Sequence, residues 1–489
     1  MEIGDFRLLA PEISLLGCVL LVILLDLFIK QKRILATVSI AGLIVSAGFT
    51  LVMWGTPPVV ILSRTLAVDA FALFFKFLFL VVAALIILAS QDYVNKFERF
   101  QGEYYALVLI SAVGMMLLAA ATDLIAIYVA LELSGISLYV LVGFLKDQKS
   151  SEAGLKFLLL GAVASAVLLY GMTLVFGFTG RTCLMCIADF LQGMPATGIL
   201  DNLALLLGLI LLVAGFGFKI ACFPFQMWVP DVYEGAPTPI TAYLSVASKV
   251  AGFAVILRVF FVALGAPDWM SLNWGMLFAI LSAITMTVGN IVAIVQSNIK
   301  RMLGYSSIAQ AGYLLVGLAT VGMATGSDTS GQSGLIFFLM SYAVTNLGAF
   351  IAVIAISNKI DSDAIDDYAG MGRQASLLAV ALTFCLISLI GLPPTAGLIA
   401  KIYIFSGAVR HGLLWLVIVA VVNSCISAFY YLRVVKVMWL GVPPSKEKVP
   451  SSWALRTALA VCCLLVLLLG VVPGSFVSIA ETATRFFGS

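Results

Sequence analysis

The chain has 489 residues, 62% of them hydrophobic and 10% charged, with a formal net charge of +3 and a mean hydropathy of +1.14. Soluble domains carry about a quarter charged residues, so this chain has too few to cover a water-facing surface and its main solvent is lipid. With no basic cluster for nucleic acid and no acidic tail, the composition leaves one class, a polytopic membrane protein.

Fourteen apolar windows, bounded by charge, glycine or proline, follow along the chain at about 8–29, 34–54, 66–90, 104–121, 124–144, 154–178, 201–223, 239–263, 274–296, 303–323, 334–357, 377–409, 412–434 and 455–474. Each is expected to be a helix, because a segment in lipid must satisfy its own backbone. The period-two alternation of a membrane barrel is absent. The first window contains Pro11 and Glu12 and is followed by Lys30, Lys32 and Arg33. A cleaved leader carries its positive charges ahead of the apolar stretch, so a retained span is expected, with Asp26 near its interfacial end. In the third window Lys76 follows Asp69 by two helical turns on one face, and the two are expected to pair.

The fifth window, "LIAIYVALELSGISLYVLVGF", places Glu132 one turn after Tyr128 and roughly 12 Å deep at the helical rise. Lys156 lies near the start of the sixth and can snorkel. The seventh ends in "GFGFKIACFPF", with Lys219 just before Pro224. The eighth, "PITAYLSVASKVAGFAVILRVF", holds Lys249 near its centre and Arg258 near its end, where it snorkels or pairs. The twelfth is too long for one helix and is split by Pro393–Pro394, with Lys401 in its second half. Loops such as those near 180–200 and 358–374 are too short to fold alone.

Lysine and arginine in loops set orientation. With the N-terminus outside, the inner loops hold sixteen of them, including Lys30, Lys32, Arg33, Lys96, Arg99, Lys446 and Lys448, against Arg7, Arg64, Arg181, Arg410 and Arg485 outside. Both termini are therefore expected on the outer face. The C-x2-C of Cys183 and Cys186 is a weak metal signal, because a closed zinc site takes four ligands. With His411 as its one histidine and no cysteine cluster, the chain is a poor host for haem or iron–sulfur groups. It also has no G-x-G-x-x-G in a strand–turn–helix context. No metal or cofactor is expected in it, and any redox chemistry is expected in another subunit.

Glu132, Lys219, Lys249 and Lys401 sit too deep to snorkel. A charge at that depth costs at least a few kcal/mol and marks a pathway or a protein interior. One carboxylate cannot neutralise three lysines pairwise. Burial disfavours a charged amine and a nearby carboxylate favours it, so a lysine held between those influences can bind and release a proton when its neighbour moves. Pro224 and Pro394 each remove a backbone bond and displace the carbonyl four residues earlier, those of Ile220 and Ile390. Unwound backbone at membrane depth is tolerated where it lines a watery cavity, and broken helices carry ion sites; an ordinary kink is the alternative. A proton-handling set is the expectation, with Tyr128, Lys156, Pro224 and Pro394 in supporting positions.

Three stretches, "GFKIACFPFQMWVPDVYEGAPTPITAYLSVASKV" (217–250), "NIKRMLGYSSIAQAGYLLVGL" (298–318) and "SLIGLPPTAGLIAKIYIFSG" (388–407), resemble the proton-translocating, antiporter-like subunits of respiratory complex I. The resemblance runs essentially the whole chain. The segment "PFQMWVPDVYEGAPTP" differs from the W-x-P-D-A-H version of the larger antiporter-like subunits, which also usually carry histidine at the place of Lys249. The resemblance implies an all-α fold of about 14 transmembrane helices with two inverted five-helix repeats (helices 4–8 over 104–263, helices 9–13 over 274–434) and broken helices 7 and 12. It implies that Glu132 pairs with Lys219, that Lys249 connects, and that Lys401 lies near the exit. It also implies other membrane-arm subunits as partners, protons as the transported ion, FMN, iron–sulfur clusters and quinone in those partners, and a bacterial inner membrane. A cation/proton antiporter subunit shares this fold, but the 217–250 stretch argues against it. A counterpart from a photosynthetic complex shares these motifs, and a non-transporting scaffold has no use for four ionisable groups at mid-membrane.

Overall fold

The computed structural model describes all residues except 1–2, 30, 95–99, 195–202, 266–267, 324–327, 444–450 and 485–489. Lys30, Lys96, Arg99, Lys446, Lys448 and Arg485 thus lie outside the described residues. The spanning helices are α1 (Ala10–Phe28), α2 (Arg33–Val52), α3 (Ala70–Val94), α4 (Gln101–Ala120), α5 (Leu124–Val142), α6 (Gln148–Thr179) and α7 (Leu203–Ile220). After the short α8 (Trp228–Gly235) come α9 (Thr238–Ala263) and α10 (Asp268–Ile294). They are followed by α11 (Ile299–Met323) and α12 (Ser330–Ile360). The half-helices α13 (Ser376–Ile390) and α14 (Ala396–Arg410) come next. Last are α15 (Leu414–Leu440), α16 (Trp453–Val471) and α17 (Pro473–Thr484). Among the described residues thirteen helices are long and apolar enough to cross a membrane. The window at 377–409 is instead the pair α13 and α14, of 15 residues each, either one shorter than the ~20 residues a span requires.

The boundaries of the broken spans have a shared cause. Helix α7 stops at Ile220 because Ala221 takes a left-handed conformation (φ +60°), and the Cys222 N–H returns to the Gly217 carbonyl. Helix α13 stops at Ile390 in the same manner, with Gly391 at φ +93° and the Leu392 N–H on the Ile387 carbonyl. This is the Schellman closure of a helix C-terminus. The chain therefore leaves the helix three residues before each proline, and the Phe223–Pro224 and Pro393–Pro394 peptides that follow are cis.

The third window is shorter than expected. Residues Leu66–Val68 form a strand, β2, paired antiparallel with β1 (Val59–Ile61) with Val60 opposite Ala67. Helix α3 starts after Asp69, whose carboxylate accepts the Ala72 N–H at 2.7 Å. The expected Asp69–Lys76 pair does not form. Lys76 turns to α1 and meets Glu12 at 2.7 Å, while Asp69 takes a forked bond from Arg258 at 2.9 and 3.1 Å. Asp69 precedes the helix and caps it, so its carboxylate lies off the end of α3 and not on the face of Lys76. Arg258 is fully buried and pairs; it does not snorkel. Asp26 bonds Lys32 at 2.7 Å, as suits an interfacial acid. Cys183 caps the helix Leu184–Gln192 by accepting the Cys186 N–H at 3.4 Å.

Helices α9, α11 and α12 form the centre, buried over nearly their whole length, whereas α1, α2, α15 and α16 have about a third of their residues buried. Glycine lets the central helices close up: a Cβ on Gly312 of α11 would lie 2.5 Å from the Met286 nitrogen of α10. Small residues at such crossings are the usual means of packing helices in lipid.

Candidate functional site

Helix α5 begins where Asp123 accepts the Ile125 and Ala126 N–H groups, an N-cap that sets Tyr128 and Glu132 one turn apart on one face. Glu132 is half-buried and accepts a hydrogen bond from the Ser165 hydroxyl of α6, which lies 3.2 Å from the Tyr128 hydroxyl. Lys219 sits in the last turn of α7 and is 9% exposed. The C-terminal end of a helix carries partial negative charge, which favours an ammonium there. Among the described residues no ion pair joins Glu132 to Lys219. Both Lys219 and Ser165 line a cavity of about 20 Å³, together with Tyr139, Phe157, Trp228 and Ser248. That is room for about one water. The Ser248 hydroxyl is buried there without a hydrogen-bond partner, one residue before Lys249.

Ahead of Lys249 the helix widens into a π turn at Leu244–Ser248, a feature frequent at functional sites. Lys249 is 2% exposed; its ammonium donates to the Ser307 carbonyl and to the Ser307 hydroxyl at 2.6 Å. Ser307 is 2.8 Å from the Tyr342 hydroxyl, which donates to the Ser245 carbonyl inside the π turn at 2.9 Å. Asn346, one turn along α12, bonds Ser245 and Tyr342.

The polar row continues along α11. Ser306 bonds the Tyr431 hydroxyl, and Gln310 donates to the Leu389 carbonyl at 3.2 Å. That carbonyl and its neighbour are the freed C-terminal end of α13, and they face Lys401. The Lys401 ammonium donates to Ile390 O at 2.8 Å, Leu389 O at 3.3 Å and Ser424 Oγ at 2.5 Å, and lies 4.6 Å from the centre of the Tyr313 ring. The Ile390 carbonyl, freed by the helix end at Gly391 rather than displaced by Pro394 as expected, is a direct acceptor for a buried lysine. Beyond it Asn290 joins Tyr313, Asn423 and Tyr430.

Lys156 is surface-accessible and bonds Glu152 at 2.8 Å and Asp231 of α8 at 3.0 Å. Asp231 also takes Arg301 at 2.8 Å. Burial pushes the Asp231 carboxyl up, but the Lys156 and Arg301 bonds outweigh it and hold the group below the usual carboxylate range. The sequence reading named none of Ser165, Ser248, Ser307, Gln310, Tyr313, Tyr342 and Ser424. A signal for part of this set was present, since Ser307, Gln310 and Tyr313 recur every three residues in an apolar helix.

A many-spanning helical membrane protein with two interrupted spans, each closing near a buried lysine, is an antiporter-like architecture. Residues 121–427 match the family model described as NADH:quinone oxidoreductase/Mrp antiporter, TM, and the chain belongs to that family. It is 50% identical over 480 residues to NADH-quinone oxidoreductase subunit N of Dehalococcoides mccartyi, covering 98% of this chain and 99% of the relative. It is 46% identical to subunit N of Trichlorobacter lovleyi, covering 98% and 97%. Among solved structures, a chain of respiratory complex I from Thermus thermophilus with bound aureothin superposes with a TM-score of 0.80 at 32% identity, over 96% of this chain and 98% of that one. A chain of the Mrp complex from Dietzia shares the fold alone, with a TM-score of 0.82 at 18% identity over 100% and 98%.

Proposed function

We propose that the chain is a membrane-arm subunit of a bacterial NADH:quinone oxidoreductase and moves protons while redox chemistry proceeds in partner subunits that hold FMN, iron–sulfur clusters and quinone. Full-length likeness to relatives named subunit N supports the assignment. The observation that carries the mechanism is the buried polar line from Glu132 and Ser165 through the Lys219 cavity and Ser248 to Lys249, then along Ser307 and Gln310 to Lys401. Glu132 acts on Lys219 through space and through Ser165, not through a direct ion pair. A shift in the charge of Glu132 changes the proton affinity of Lys219, and the proton passes inward to Lys249 and on to Lys401. Residues 104–263 and 274–434 act as the two repeats, supported by the interrupted span within each. Both termini face the periplasm, supported by the lysine and arginine count of the loops.

In the assembled complex, Lys219→Ala or Glu132→Ala is expected to abolish or sharply reduce protons pumped per NADH while NADH oxidation continues. Full pumping in both variants overturns the mechanism. Purification with flavin and iron–sulfur subunits supports the assignment, and purification with cation-antiporter subunits replaces it.

A further inference from the structure

Two cavities approach each other across the α6–α8 contact. One is the Lys219 cavity. The other is a charged cleft of about 200 Å³ lined by Lys149, Glu152, Lys156, Asp231 and Glu234, beside Arg301, which bonds two of its acids. The same two helices line both. On α6, Lys156 borders the cleft and the next residue, Phe157, borders the cavity; on α8, Asp231 borders the cleft and Trp228, one turn earlier, borders the cavity. Across this wall the helices make two contacts side by side. Lys156 bonds Asp231 at 3.0 Å, and Phe157 stacks on Trp228 with ring centres 4.6 Å apart and planes 19° from parallel. Both rings are nearly fully buried, at 3% and 4% exposure. Phe218 closes the far side, 5.4 Å from the Trp228 ring.

We propose that the Phe157–Trp228 stack, latched by the Lys156–Asp231 bond, is the gate through which water and a proton reach Lys219 from the charged cleft. The proposal rests on the reading of Lys219 as a proton carrier. An apolar constriction excludes water and blocks conduction until its walls separate. Helix α8 suits a moving wall: it has eight residues and does not itself cross the membrane. When the stack parts, water joins cleft and cavity. A hydronium in the cleft then gives its proton along that water to the neutral Lys219 amine, leaving water behind and an ammonium ahead, with no electron moved. When the stack closes, the proton cannot return. Asp231, held ionised by Lys156 and Arg301, is a fixed negative charge at the mouth and not a carrier.

The test uses the purified complex in proteoliposomes carrying Phe157→Ala, Phe157→Leu or Phe157→Ala/Lys219→Ala. Without redox substrate and under an imposed pH gradient, Phe157→Ala is expected to raise proton conductance by on the order of threefold to tenfold, the gain in open population from losing one aromatic stack. Protons pumped per NADH fall in parallel. Phe157→Leu loses the stack but keeps an apolar plug, so it leaks less than Phe157→Ala, and the double variant loses the leak because its route runs through Lys219. An assembled Phe157→Ala complex as tight and as well coupled as wild type overturns the gate. A leak that persists in the double variant also overturns it, by showing general loosening. Undiminished pumping in Lys219→Ala alone instead overturns the underlying proton-carrier reading.

Discussion

Lys401 separates a structural cation from a proton carrier. In Lys401→Met the donor to Ile390 O, Leu389 O and Ser424 Oγ is lost. The loss is partly made good, because Gln310 still donates to Leu389 O at 3.2 Å and Ser424 lies 3.4 Å from Ile390 O. At most one buried acceptor is then orphaned, at a cost of about 1–3 kcal/mol, so the complex assembles with a modestly lower thermal midpoint. Lys401→Arg keeps the positive charge at the end of α13, and an arginine does not release its proton. If the lysine serves only to hold the broken helix, the arginine variant restores both stability and pumping. If it carries a proton, arginine restores stability while protons per NADH stay as low as in Lys401→Met. The assay is thermal unfolding of the purified complex beside proton uptake during NADH oxidation in proteoliposomes. Wild-type pumping by either variant refutes the carrier role.

The forked Arg258–Asp69 bond ties α9, the helix of Lys249, to the start of α3. Arg258→Leu strands a buried carboxylate and is expected to destabilise the subunit by about 3–5 kcal/mol, seen as a fall in assembled complex; Asp69→Asn added to it recovers part of the loss, and a neutral single variant counts against the bond. Asp328, just ahead of α12, accepts the Ser330 N–H at 2.8 Å and lies 2.9 Å from His411 Nε2. Burial pushes its carboxyl up, but the Ser330 bonds and His411 outweigh this and hold it below the ordinary value. A lowered carboxyl gives stability that is present above the unfolded value and lost as pH falls through the folded one. Protection of the α12 N-terminal amides from hydrogen exchange should therefore persist at mildly acidic pH and fade only below about 4. A midpoint at or above the usual aspartate value contradicts that assignment.

The spans were legible because hydropathy is a local sum: a run of apolar residues names its solvent whatever it later packs against. The depth of Glu132, Lys219, Lys249 and Lys401 was legible for the same reason, and the break at 391–395 followed from Pro393–Pro394. The partners were not. Asp69 and Lys76 share a spacing that suggests one helix face, yet each binds a residue from another helix, Arg258 and Glu12. The helix-face argument sees only pairs within one element, and Asp69 lies just outside its own. Lys156 was legible as a surface cation, but not as half of a contact with Asp231, 75 residues away.

By itself the sequence determined that the protein lives in lipid, where its helices run, which charges sit at membrane depth, and, through residues 217–250, the family it resembles. Only the tertiary structure decided that Ser165, the partner of Glu132, shares a cavity with Lys219, that Lys249 rests on Ser307, and that Lys401 rests on the open end of α13. Hydropathy is a property of each residue's neighbourhood in the chain. A hydrogen bond or a cavity belongs to helices brought together from distant positions, and its geometry depends on where small residues let their backbones close.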